Sequence, residues 1–221
     1  MEIDFERTKC KKLTNSDLGL SIDTNANKVY YFTYHYKTQK ATVYKICVDG
    51  TKKTKVFSVK AKDGFELAGL VGGKLYYLTG SDHGNLHSYT LKSKKDKVVV
   101  KDIFASRYKS KYFILETLCD DEANVSKISS YSIKNKKLKS ISTNVCAYQI
   151  IGKKLYYVEY KSTRKNISSD EISNVTVKKC SLNGKNKKTL IKKLTIQNIR
   201  EVTAHAITYT NKEGKEVKKK Y

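Results

Sequence analysis

Seven residues on predicted loops are of types that could form a ligand site or a catalytic site. Histidine titrates near neutral pH and carboxylates act as acids or bases, so a cluster of them could support a hydrolase or a lyase. Two of these loops, at residues 118–126 and 161–173, exceed hairpin length, and binding functions often lie on such loops. The candidates are His35, Asp82, His83, Asp120, Asp121, Arg164 and Asp170. The alternative interpretation is that they are polar turns and neutral insertions.

No catalytic or metal-binding motif accompanies these residues. The sequence has neither a nucleophile motif nor a glycine-rich phosphate loop, so we do not expect an enzyme. Asp120-Asp121-x-x-Asn124 suggests a cation loop, but it lacks the glycine and the terminal glutamate of a calcium loop. The five cysteines are scattered without Cys-x-x-Cys spacing, which argues against zinc and against a disulfide framework. We expect no metal and no cofactor.

A second candidate site consists of lysine pairs in predicted turns. The chain has 45 basic and 21 acidic residues, a formal net charge of +24, and only four of the basic residues are arginines. Because arginine is favoured for reading phosphate and base edges, we do not expect nucleic acid as the partner. A polyanion-binding rim would comprise Lys52, Lys53, Lys94, Lys95, Lys136, Lys137, Lys187 and Lys188. The alternative is that these lysines keep a β-rich surface soluble and its edges unpaired.

An aromatic segment recurs along the chain and predicts a repeat architecture. Its copies are centred on Tyr30, Tyr76, Phe113, Tyr156 and Ile207, which lie 46, 37, 43 and 51 residues apart. Periods of this size, built from short aromatic and β-branched segments, are typical of propeller blades. The two residues of each tyrosine pair point to opposite faces of a strand, and a blade is covered on both faces, so we interpret these tyrosines as core residues.

Each aromatic segment belongs to a predicted four-stranded unit. A short strand precedes it, an alternating strand follows it, and a lysine-rich turn leads to a closing strand. Asp49-Gly50 and Asn183-Gly184, in two of these turns, are strong hairpin signals. The predicted units are residues 18–59, 65–103, 104–142, 145–193, and 196–221 together with 1–14. We therefore predict a single all-β domain, a β-propeller of about five four-stranded antiparallel blades.

The two ends of the chain leave the closure of this propeller open. Residues 3–13 are predicted to form the last strands of a unit, and residues 196–221 the first strands. Joining the two ends would complete a fifth blade and close a ring. The alternative is that the chain forms an open arc of a larger propeller.

Two segments resemble a known group of propellers. Leu75-Tyr76-Tyr77-Leu78-Thr79 and Val43-Tyr44-Lys45-Ile46-Cys47-Val48-Asp49-Gly50 resemble the second- and third-strand signatures of Tyr-Trp-Thr-Asp-type propellers. Over nearly its whole length the chain is similar to bacterial propeller-repeat proteins of unknown function that are related to the TolB type. The resemblance implies a propeller of a bacterial envelope or secreted protein. It implies no particular chemistry, because such propellers serve many functions.

We predict a non-catalytic binding or scaffold module, monomeric, that binds a protein, a peptide or an anionic polymer such as a polysaccharide. The alternatives are a hydrolase or lyase with a site at the central channel, and a purely structural spacer. Residues 1–7 have neither the basic nor the apolar segment of a signal peptide, and no stretch is long enough to cross a membrane. The sequence therefore leaves the location unknown, and only the resemblance suggests the envelope or secretion.

Overall fold

A computed structural model describes residues 20–23, 27–80, 83–120, 125–160 and 173–221 of the chain. Apart from one short 3₁₀ turn, Tyr36–Thr38, the regular structure of the described residues is β-strand, which confirms the all-β prediction. Within these residues no helix combines the length and the apolar content that crossing a bilayer requires. The chain divides into a first unit, residues 1–81 and 86–98, and a second unit, residues 82–85 and 99–221.

Two four-stranded antiparallel sheets follow one another along the chain, each with its strands in sequence order. The first contains β1 (Leu20–Asp23), β2 (Lys28–His35), β3 (Lys40–Cys47) and β4 (Thr54–Lys60). The second contains β5 (Phe65–Val71), β6 (Lys74–Thr79), β7 (Gly84–Thr90) and β8 (Lys95–Ile103). Gly50 in the β3–β4 turn has a φ of 81°, a left-handed conformation that glycine adopts without strain.

The next sheet has seven strands, also in sequence order. These are β9 (Ala105–Lys109), β10 (Tyr112–Asp120), β11 (Val125–Ser132), β12 (Lys137–Ile151), β13 (Lys154–Tyr160), β14 (Ser173–Ser181) and β15 (Lys188–Ile196). The sequence predicted that one unit ends at residue 142 and the next begins at residue 145, but the structure has the single 15-residue strand β12 across this boundary. Its first part pairs with β11 and its second part with β13, so one strand serves two four-stranded groups. The final sheet contains β16 (Asn198–Val202), β17 (Ala206–Thr210) and β18 (Glu216–Lys220).

The recurring aromatic segments occupy equivalent strands, as predicted. Tyr30, Tyr76, Phe113, Tyr156 and Ile207 lie two or three residues into β2, β6, β10, β13 and β17, and all five are buried. The next tyrosines, Tyr31, Tyr77 and Tyr157, point to the opposite face and are at most 1% exposed. Both faces of these strands are therefore covered, and fully burying each such side chain contributes about 2 to 3 kcal/mol.

Each unit has its own hydrophobic core. In the first unit, Tyr30, Val43, Leu75, Tyr77 and Tyr89 form one cluster, and the rings of Phe57 and Tyr89 stack with centroids 4.3 Å apart. In the second unit, one cluster contains Ile114, Ile128, Leu155 and Cys180, and another contains Val158, Val175, Ile191 and Ile207. Phe32 and Ile150 are partly buried and pack against the first and second of these clusters, respectively.

Candidate functional site

The four turns that precede the closing strands share one backbone feature. We call them the lysine turns: β3–β4, β7–β8, β11–β12 and β14–β15. Each contains one residue other than glycine in the left-handed conformation, and the φ values of these residues agree within 1°. They are Lys52 (55°), Lys94 (55°), Lys136 (54°) and Asn186 (55°). Each of the four turns therefore contains one left-handed non-glycine residue with nearly the same φ, at a cost of about 1 kcal/mol.

Backbone hydrogen bonds divide the lysine turns into two pairs. In β7–β8 and β11–β12, the N–H groups of Lys94 and Lys136 donate to the carbonyl oxygens of Thr90 and Ser132, at 2.9 Å and 2.8 Å. In β3–β4 and β14–β15, the N–H groups of Cys47 and Ser181 donate instead to Thr51 and Lys185, at 3.0 Å and 2.9 Å. The Asp-Gly and Asn-Gly turns are thus structurally equivalent.

The lysine turns hold their charged side chains in solvent. All eight lysines of the predicted rim are exposed. The ion pairs of the described residues are His83–Asp102, His87–Asp96 and Lys178–Glu159, so within that part of the chain none of the eight lysines has a carboxylate partner. Lys53 lies over the Tyr44 ring, 4.9 Å from its centroid, and Lys187 donates to the backbone oxygen of Ile141. Neither contact neutralises a charge, so all eight ammonium groups remain without a carboxylate partner among the described residues.

The structure describes only part of the second predicted site. His35 is exposed at the end of β2, and its Nδ1 accepts a hydrogen bond from the Thr38 N–H at 3.3 Å, so it caps the 3₁₀ turn. His83 is also exposed, with its Nδ1 2.6 Å from Oδ1 of Asp102 in the second unit. Asp82, Asp121, Arg164, Asp170 and the side chain of Asp120 lie outside the described residues. The convergence of this set therefore stays a prediction.

Sequence reasoning missed an ordered polar cluster in the first unit. Nε2 of His87 lies 3.2 Å from the Thr79 hydroxyl, and its Nδ1 lies 3.0 Å from Oδ2 of Asp96. The ring stacks on Tyr77 with centroids 4.7 Å apart, and the His87 side chain is 12% exposed. Burial, and then the charge of Asp96, raise the pKa of the Tyr77 hydroxyl. Hydroxyl, imidazole and carboxylate in this order resemble a nucleophile, its base and the group that orients the base.

No motif marks this cluster in the sequence. Thr79, His87 and Asp96 lie on three consecutive strands, one residue on each, and come together through the pairing of those strands. The available signal was the position of Thr79, three residues after the shared aromatic residue Tyr76. The corresponding positions carry Thr33, Glu116, Glu159 and Thr210, so this position is polar in every repeat.

The described part of the chain has no group of metal ligands, and burial makes its Cys146 thiol a weak nucleophile. No three His, Cys, Asp or Glu side chains among those residues are grouped as metal ligands. Cys47, Cys146 and Cys180 are free thiols. Burial raises the pKa of the Cys146 thiol to about 12, which disfavours the nucleophilic thiolate.

The fold matches solved β-propeller structures. The N-terminal domain of Nup159 matches with a TM-score of 0.56 and 12% identity, over 86% of this chain and 51% of that chain. A chain of the S. cerevisiae complex of Dbp5 with Nup159 and Gle1 matches with a TM-score of 0.55 and 12% identity, over 90% of this chain and 54% of that one. The β-propeller domain of the Trilobed protease from Pyrococcus furiosus matches with a TM-score of 0.52 and 10% identity, over 88% and 63%.

These matches establish the class of protein, which is a β-propeller. The chain spans about half the length of the Nup159 domain that it matches. No protein-family model and no curated protein matches the sequence. Since identities near 10% show the fold alone, the chemistry has to be argued from the residues of this chain.

Proposed function

We propose that this protein is a non-catalytic β-propeller binding module that binds an anionic polymer through its lysine turns. The observation that carries the proposal is the repeated left-handed turn, which places lysines in solvent without carboxylate partners among the described residues. A lysine close to an anionic surface contributes about 1 kcal/mol, so several acting together suffice for binding at low salt. Lysine is a compact hydrated charge, and this suits a flexible polymer better than it suits a base sequence.

The test is the affinity of the whole chain for heparin, measured as a function of salt concentration. We expect affinity to fall steeply with salt, because polyanion binding releases counterions. In a turn variant, Lys52, Lys94, Lys136 and Lys188 are replaced by glutamine. In a matched control with the same net charge, the exposed strand lysines Lys55, Lys101, Lys109 and Lys192 are replaced.

The turn variant is expected to lose at least tenfold more affinity than the control, a difference of about 1.4 kcal/mol. Equal losses in the two variants would mean that net charge alone retains the polymer, and the turn-specific proposal would fail. Equal urea midpoints of both variants and the parent chain would exclude misfolding as the cause.

A protein or peptide is the other partner that we expect for a scaffold of this class. The S. cerevisiae structure, in which Dbp5 is bound to Nup159, supports it as an example of a matching chain in a protein complex. The resemblance to TolB-related propellers favours a bacterial envelope or secreted protein, where anionic polymers are accessible. Fractionation of cells that express the whole protein tests this location.

A hydrolase is the second candidate, and the Thr79–His87–Asp96 cluster favours it. With His87 as base, the Thr79 hydroxyl would act as the nucleophile toward an ester. We expect Thr79→Val to abolish hydrolysis of p-nitrophenyl acetate by the purified chain. Thr33→Val is the matched control, because Thr33 occupies the equivalent position in β2, where Thr42 lies opposite it. Hydrolysis that is absent in the parent chain, or equal in both variants, would exclude this candidate.

A further inference from the structure

Side-chain donors of the second unit converge on Ser181, the last residue of β14. Lys154 is the residue directly opposite Ser181 in the β13–β14 pairing, and its Nζ lies 3.4 Å from the Ser181 Oγ. Nδ2 of Asn186 lies 3.4 Å from the same oxygen. Because this oxygen faces two donors, the hydroxyl proton of Ser181 is free to point outward to a ligand.

Two more lysines bring their charges to the same turn. A Cβ at Gly184 would lie 3.8 Å from Cδ and Cε of Lys139, so the missing side chain leaves room for that lysine against the turn. Lys187 donates to the backbone oxygen of Ile141, which uses one of its three N–H donors. Burial raises the pKa of the Cys180 thiol, and the positive charges of Lys187, Lys139 and Lys154 act against that rise.

No carboxylate among the described residues forms an ion pair with these three lysines. Like charges that are held close together repel one another, and this repulsion is relieved when an anion binds between them. The turn therefore combines three ammonium groups, the Ser181 hydroxyl and the Asn186 amide, all of which can donate hydrogen bonds.

The equivalent β3–β4 turn lacks this combination, although its backbone bonds are the same. Cys47 takes the place of Ser181, and Asp49 takes the place of Asn183. The Asp49 carboxylate accepts hydrogen bonds from the Thr51 N–H at 2.8 Å and from the Thr51 hydroxyl at 2.7 Å. A carboxylate in the turn repels an anion, so the two turns are predicted to differ in binding.

We propose that Lys139, Lys154 and Lys187, together with Ser181 and Asn186, form a binding site for one phosphate group. A phosphate presents several strong acceptor oxygens and up to two negative charges, which match a site made of donors with three positive charges. The inference deepens the proposed function and rests on it for its biological ligand, because this site would hold a phosphate of the bound polymer. Free inorganic phosphate has the same chemistry and is the alternative source.

The experiment is an isothermal calorimetric titration of the full chain with inorganic phosphate at constant ionic strength. The site variant is Lys139→Gln/Lys154→Gln, in which Lys187 keeps its structural bond to Ile141. The control is Lys55→Gln/Lys60→Gln, which removes the same charge from exposed positions of β4, outside the lysine turns. We expect the site variant to weaken phosphate binding about tenfold and the control less than twofold. Asn183→Asp, which introduces the carboxylate of the β3–β4 turn, is expected to weaken it as well.

Equal weakening in the site variant and the control, or no 1:1 binding by the parent chain, would overturn the inference. Retention on polyphosphate and on hyaluronate, a polymer with carboxylates alone, is measured with the same proteins to separate the two sources. If the site variant loses polyphosphate but keeps hyaluronate, the site holds polymer phosphate. If it loses inorganic phosphate while retention of both polymers is unchanged, the site holds free phosphate. The proposed function fails by a different result: the turn variant and its strand control lose the same affinity for heparin. The two failures can therefore be told apart.

Discussion

Glu159 and Lys178 form a partly buried ion pair in the second unit. Their side chains are 18% and 30% exposed, and the Ser142 hydroxyl also donates to the Glu159 carboxylate. Glu159 lies in β13, between Ser142 of β12 and Lys178 of β14. The pair therefore ties three neighbouring strands together at the polar position of the repeat.

We predict that breaking this pair from one side destabilises the protein more than removing both charges. Lys178→Met leaves the Glu159 carboxylate without its main partner, and an unsatisfied buried acceptor costs about 1 to 3 kcal/mol. The double variant Glu159→Gln/Lys178→Met should lose less than the sum of the two single losses. Urea denaturation of all four proteins in this cycle measures the coupling. Strict additivity would show that the two side chains do not interact in solution.

The sequence revealed the polar position at the end of each aromatic segment, but not its partners. Glu116 receives a hydrogen bond from Ser126 at 2.6 Å, Glu159 binds Ser142 and Lys178, and Thr79 contacts His87. Each partner lies on another strand, so register decides the contact, and register follows from turn lengths and bulges rather than from local composition. For this reason the histidine cluster of the first unit could not be predicted.

At the scale of the element, Gly184 makes the β14–β15 turn possible in two ways. Its φ is 70°, and a Cβ there would lie 3.2 Å from Cγ1 of Ile141. Gly152, in the β12–β13 turn, has a similar φ of 60° but nothing within 4 Å of its Cβ position. Replacing each glycine by alanine therefore distinguishes the energetic cost of a left-handed backbone, which both positions have, from the cost of a steric contact, which only position 184 has.

We predict that Gly184→Ala lowers the free energy of unfolding by about 2 to 3 kcal/mol, and Gly152→Ala by about 1 kcal/mol. The difference arises because alanine at position 184 has to displace Ile141, which is buried, in addition to adopting a positive φ. Urea denaturation of the two variants measures both costs. Equal losses would mean that the Ile141 side chain moves aside freely.

Strands flanked by Asp-Gly and Asn-Gly turns were predictable, whereas the length of β12 was not. The hairpin signals placed β3, β4, β14 and β15, since these dipeptides favour the left-handed turn conformation. Residues 142–144 lack apolar alternation and therefore suggested a break. In the structure, Asn144 has a φ of 59° at a shift of the β11–β12 register, and pairing continues on both sides of it. An irregularity inside a strand and a loop between two strands have the same local sequence pattern.

At the scale of the whole molecule, buried hydroxyl and thiol groups make the stability of the fold depend on pH in the alkaline range. Burial raises the pKa of Cys146 to about 12 from an ordinary value of 9.0, and that of Tyr221 to about 12 from 10.0. Burial also raises the pKa of four other tyrosines still further. These are Tyr77, Tyr148, Tyr157 and Tyr160.

We predict that stability falls as pH rises from about 9 to about 12. A raised folded pKa means that the unfolded chain releases these protons first, so the stabilisation is complete below the ordinary values and is lost as pH rises through the folded values. The urea midpoint should therefore be lower at about pH 11 than at about pH 8. Phenolate absorbance should rise in the same step as unfolding. Tyrosine ionisation that is complete well before unfolding would contradict the prediction.

The fold class was predictable from the sequence because it depends on repetition, which a single chain displays. Five equivalent aromatic segments and four lysine turns require only that each repeat form the same hairpins. The candidate sites differ in how far the sequence could predict them. The lysine turns are local and were located from their sequence, whereas most of the predicted loop site lies outside the described residues. The Ser181 site depends on side chains of β12, β13 and the β14–β15 turn, which a linear pattern does not connect.

The sharing of β12 also limits how this chain can be rearranged. New termini placed at residues 143–144 would cut a strand whose two parts pair with different neighbours, β11 and β13. New termini placed at residues 61–64, between β4 and β5, would interrupt no strand. An insertion at 61–64 should therefore leave the described strands intact, whereas the sheet from β9 to β15 has to be transplanted or duplicated as one block.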